Sequence, residues 1–236
     1  MPKQLAEFKM IEYIQESTKK HSKQRREWTV FDNVQVFIKD RPPEDVSIEE
    51  IILQLEELIP TSFTSGLDVI YVGEFEQLTQ RSVEAAYEDG AIYVSNNQPN
   101  EYEFVESIIH EIAHSLEEIS TSLIYADGEI EREFLSKRKR LWSIMKSHDL
   151  VGQQHYASFE QVEYSEELDM FFYEDIGYEL MSSLTMGLFM SPYGATSLRE
   201  YFANAFEHFF LSDDKKYVKQ ISPAVYNKLV ELSLGD

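Results

Sequence analysis

Ser107–Glu118 reads SIIHEIAHSLEE and sets His110, Glu111 and His114 in the order H-E-x-x-H. At about 100° per residue, a helix brings the two histidines within roughly 40° of each other. Val105, Ile108, Ile109, Ile112, Leu116 and Ile119 gather on the other side of the same wheel, nearly opposite the imidazoles. Such a helix has an apolar back to bury and an imidazole front left over. Asn100 and Glu103, following Pro99, supply a start signal, so the spacing predicts a helix from about 101 to 120. Two imidazoles on one face with a carboxylate beside them suit a divalent ion, while a solvated histidine pair is the plain alternative. A third ligand decides between them.

The sequence on either side frames that helix. Trp28–Phe31 and Val34–Ile38 alternate in polarity around Asp32 and Asn33, which predicts a β-hairpin. Ser47 and Glu50 open a helix that stops at Pro60, and Leu67–Val72 reads as a strand. Asp89-Gly90 joins residues 84–88 and 91–95 as a second hairpin. After the motif, Asp127-Gly128 breaks the chain before a charged helix. Its Lys137–Arg140 run, KRKR, is expected on a solvated face. Residues 166–190 form a long apolar helical region. The expected fold class is therefore α+β, predominantly helical, with a small twisted mixed sheet beside the motif helix.

Composition narrows the chemistry. With 236 residues, 43% hydrophobic content, 15 Phe and 14 Tyr, the chain can bury a sizeable core. It has no cysteine, so a metal falls to His, Asp or Glu, and a thiol nucleophile is excluded. A net charge of −22 disfavours nucleic acid and anionic membranes as partners. The opening MPKQLAEFKMIEYIQES is charged throughout and lacks the apolar run of a signal peptide or membrane span, so a cytoplasmic location is expected, with non-classical delivery left open. A monomer is favoured, and nothing in the sequence fixes the oligomeric state. Residues 1–27 form an amphipathic arm with Leu5, Phe8, Ile11 and Ile14 at helical spacing.

The third ligand is sought in residues 191–211, SPYGATSLREYFANAFEHFFL. Thr196 or Ser197 caps a helix whose buried stripe is Leu198, Phe202, Ala205, Phe206 and Phe209. Glu200, Asn204 and Glu207 share the opposite face, so this helix repeats the design of the first. Two such helices can face each other across one ion.

HEIAH at 110–114 together with YGATSLREYFANAF at 193–206 resembles the gluzincin metallopeptidases, and within them the anthrax lethal factor catalytic domain and the bacterial Pro-Pro endopeptidases. KKYVKQISPAVYNKLVEL resembles, more loosely, that family's closing helix. The resemblance implies a zincin-like fold of two lobes around a cleft, built from residues 28–236. These would divide into an N-lobe of about 28–124, an insertion of about 125–165 and a C-lobe of about 166–236. It implies Zn2+ held by His110, His114 and Glu200, with Glu111 as general base and Tyr193 as hydrogen-bond donor to the transition state. The implied activity is zinc-dependent hydrolysis of a protein or peptide. Asn204 stands where the family has an acidic residue, and is expected to support a histidine from behind. Ala91, Ile92, Tyr93 and Val94 are expected to offer a strand edge to an extended substrate. A non-catalytic protein that grips a peptide with the same fold is the alternative, and a purely structural metal is a further one.

Overall fold

The computed structural model describes residues 26–234, so all but the last two residues of the helical arm expected over 1–27 lie outside the described residues. The described residues are mostly helical and carry one small mixed sheet of five strands. Strands β1 (Glu27–Val30) and β2 (Val34–Ile38) form the first expected hairpin, with Phe31 and Asp32 at positive φ in its turn. Helix α1 (Ile48–Leu58) then crosses over to β3 (Val69–Gly73), which runs parallel to β2. The Ser47 hydroxyl caps α1 by accepting the Glu50 N–H at 3.3 Å.

After a short helix α2 (Glu76–Arg81), the Asp89-Gly90 turn joins β4 (Ala85–Glu88) to β5 (Ala91–Ser95). Asp89 and Gly90 both have positive φ, the conformation a two-residue hairpin turn demands. Strand β5 does not stay at the edge. It inserts beside β3 in parallel register, pairing Ile70 with Ile92 and Val72 with Val94. The outermost strand on this side is β4. The expectation that Ala91–Val94 presents a free edge is thus corrected: both flanks of β5 are already paired.

The motif lies on α3 (Glu101–Tyr125), capped by Asn100, whose side-chain oxygen accepts the Glu103 N–H at 3.0 Å. Val105, Ile108, Ile109, Ile112 and Leu116 are buried as the wheel predicts, whereas Ile119 is half exposed. Each fully buried aliphatic side chain of this stripe contributes about 1.5–3 kcal/mol. Ser120, the expected end, has non-helical φ −122° and ψ 21°, yet the helix resumes for one more turn.

Helix α4 (Glu129–Ser147) starts after Gly128, at φ 67°. It belongs to the core, because Ile130, Phe134, Arg138, Leu141 and Met145 are all fully buried. The helical region expected over 166–190 comprises α5 (Glu166–Met170), a π-helix over Phe171–Gly177 and α6 (Tyr178–Thr185), with Gly177 at φ 84°. Helix α7 (Leu198–Leu211) packs along α3, and α8 (Lys216–Ile221) and α9 (Pro223–Leu234) close the chain. One contiguous set of buried residues runs from Trp28 to Leu229 through sheet and helices alike. No described helix is long and apolar enough to cross a membrane.

Candidate metal centre

The packing of α3 against α7 brings two ligand-type faces together. Ser197 is the residue that caps α7, accepting the Glu200 N–H at 3.2 Å, and this starts the helix so that Glu200 points towards α3. His110 Nε2 lies 3.0 Å from Glu200 Oε2, and His114 Nε2 lies 3.5 Å from Glu200 Oε1. One ligand atom from each of the three residues falls within 4.8 Å of the others.

Each imidazole is held from behind by a second carboxylate. His110 Nδ1 is 3.2 Å from Glu207 Oε2, and His114 Nδ1 is 2.8 Å from Glu117 Oε2. Glu117 is buried and also accepts from the Tyr125 hydroxyl, with the Arg199 Nε 3.6 Å from its Oε2. Carboxylates placed on Nδ1 fix both ring orientations and leave Nε2 directed at the common point. The donor set is two imidazole nitrogens and one carboxylate, with an open side on the cleft. That fits a divalent ion such as zinc in a site that keeps one position free.

The electrostatics agree. Burial disfavours charge on both rings, but the hydrogen bonds of His110 to Glu200 and Glu207 outweigh it and hold His110 at about 10. The partners of His114, Glu117 and then Glu200, likewise hold it at about 9. Burial alone would raise Glu200, yet its hydrogen bonds to the two histidines keep it well below the usual carboxylate range. The pocket thus demands positive charge at its centre, and a cation answers that demand as protons do. Further along, burial and the neighbouring charge of Glu207 push Glu106 up to about 7.

Glu111 is 8% exposed, and its Oε2 accepts the Tyr87 N–H of β4 at 2.8 Å. The carboxylate is therefore aimed by the edge strand. Glu84 and Ser95 form a hydrogen-bonded pair, with the Ser95 N–H donating to Glu84 O at 2.7 Å, so alternation turns the backbone groups of Ala85 and Tyr87 outwards. That outward edge lines the same cleft as His110, His114 and Glu200.

Tyr193 stands across the cleft in a 3₁₀ turn, Tyr193–Ala195, with its ring centroid 6.4 Å from that of His110. Burial and the charge of Glu200 push its hydroxyl far above the usual phenol value, so it is a donor at any physiological pH. Asn204 does not support a histidine. Its Oδ1 accepts from the Ser191 hydroxyl, which in turn accepts the Gly194 N–H at 3.3 Å. An amide oxygen is a good partner for that hydroxyl, whereas Glu207, one turn further on, reaches the imidazole with a full charge.

The structure thus brings His110, Glu111, His114, Glu200 and Tyr193 to one cleft, and puts β4 in the place expected of β5. Glu117 and Glu207 support the imidazoles outside the expected set, and their helical offsets from His114 and Glu200 are the sequence signal for that role. No family model, curated protein or solved structure matches the chain.

Proposed function

We propose that the protein is a zinc-dependent endopeptidase of zincin-like architecture, with the cleft as its active site between two lobes. The observation that carries this reading is the convergence of His110, His114 and Glu200, each imidazole backed by its own carboxylate, beside an oriented Glu111 and a phenol. A divalent ion bound there supplies a Lewis acid and lowers the pKa of water towards about 7. With Oε2 tied to Tyr87, Glu111 keeps Oε1 to take a proton from the attacking water and pass it to the leaving amine. The Tyr193 phenol donates a hydrogen bond to the oxygen on which negative charge develops. An extended peptide is taken up along β4 by the Ala85 N–H and C=O and the Tyr87 C=O. Carboxylates of Glu84, Glu163, Glu166 and Asp169 line the walls, which favours substrates with basic residues around the cut bond.

The test is cleavage-site profiling on a diverse peptide pool with the zinc-loaded chain, using Glu111→Gln as the blank. The variant should keep its zinc and lose about 10²–10⁴-fold in rate. Equal cleavage by the two proteins would remove Glu111 as the base, and no zinc-dependent cleavage of any peptide would remove the peptidase reading.

A further inference from the structure

The Lys137–Arg140 run is not a solvated face. Lys137 is half-buried, and its Nζ donates to the backbone carbonyls of Leu188, at 2.9 Å, and Ile221. Arg138 is fully buried, with its guanidinium carbon 5.2 Å from the Phe134 ring centroid and 5.4 Å from that of Phe159. Only the last two residues of the run, Lys139 and Arg140, are exposed.

What Arg138 holds is informative. Its Nη1 donates to Ala195 O at 2.9 Å and Thr196 O at 3.2 Å, and its Nη2 donates to Ser158 O at 2.6 Å. All three of these partners are backbone carbonyls. Ala195 and Thr196 are the two residues that close the Tyr193 turn, since the Thr196 N–H and hydroxyl both donate to Tyr193 O, at 2.9 and 2.7 Å. The other end of the turn is fixed by Ser191, Gly194 and Asn204. A cation buried at the cost of several kcal/mol is an expensive way to tie down a surface turn. It is a sound way to place a side chain whose distance from a reacting oxygen must be right.

We propose that Arg138 is a positioning residue for Tyr193: reaching from α4 to the carbonyls of Ala195 and Thr196, it sets the phenol over the cleft. The role rests on the peptidase reading, but the positioning can be measured without it. In the zinc-loaded full chain, Arg138→Lys should lower kcat about tenfold, because the phenol is misplaced rather than removed, with KM and zinc affinity within about twofold of the original. In a Tyr193→Phe background the same substitution should cost nothing more, since a group that acts through the phenol has nothing left to position. Hydrogen exchange at the Thr196 amide should quicken in Arg138→Lys while amides in the middle of α3 stay protected.

A kcat loss of the same size in both backgrounds, or a loss of zinc affinity in step with kcat, would reduce Arg138 to general support of the fold. Unchanged exchange at Thr196 would overturn the proposal whether or not the protein cleaves peptides. Faster exchange at Thr196 without any zinc-dependent cleavage would spare the anchor and sink the peptidase reading alone. Arg138→Gln, which keeps one donor arm, serves for all three measurements where the lysine variant does not fold.

Discussion

The two histidines of the centre are one turn apart on one helix, yet they are supported in opposite ways. His114 leans on Glu117, three residues along its own helix, a buried carboxylate that also accepts from the Tyr125 hydroxyl and has the exposed Arg199 at its outer side. His110 leans on Glu207, 97 residues away on α7, and that carboxylate is crowded by Glu106. The first support forms as soon as the helix does. The second exists only once α3 and α7 have packed, and it carries the repulsion of a second carboxylate. One imidazole is therefore placed by secondary structure and the other by tertiary structure, and both meet at Glu200.

The hardest break of this comparison is Glu200→Ala, which takes away the residue the two halves share. Zinc content of the purified variant, read by atomic absorption, should fall to background; retention at the original level would mean the ion is held elsewhere. Next come the two supports, each worth about 10–100-fold in metal affinity. Glu117→Gln should fall near the upper end, since a single amide oxygen cannot accept from both His114 and Tyr125. Glu207→Gln should fall near the lower end, because loss of its charge relieves Glu106. A chelator-competition titration measures both, and equal losses or the reverse order would dissolve the distinction between a local and an imported support. Tyr125→Phe should have the smallest effect, about 1 kcal/mol in denaturant unfolding for one lost hydrogen bond, with zinc affinity near the original. A large fall in zinc affinity there would show that Tyr125 fixes Glu117 more firmly than its own helix does.

Local features were readable from the sequence because their causes are local. The caps at Ser47, Asn100 and Ser197, the Asp89-Gly90 turn and the apolar stripes of α3 and α7 are set by neighbours within a turn or two. The insertion of β5 beside β3 was not readable, since parallel pairing is chosen by distant strands and leaves no signature in residues 91–95. Analogy misleads at Asn204: its offset from Glu200 suits a histidine support, but Ser191 competes for the amide. Composition misleads at Arg138. A charged run suggests solvent, yet Ile130, Phe134, Arg138, Leu141 and Met145 recur at helical spacing, so the buried stripe passes straight through the arginine. That periodicity was the signal available.

The bond from the Tyr87 N–H to Glu111 reaches beyond the orientation of a carboxylate. An outermost strand with unpaired backbone groups invites a strand from another copy of the molecule, the first step towards fibrous assembly. Here one of the two outward N–H groups on β4 is already occupied, and the occupant brings negative charge to the rim. A second copy would meet a ladder with a missing rung, whereas a short peptide needs only the rungs on either side. The same hydrogen bond that aims Glu111 thus weakens the pairing of β4 with a second copy.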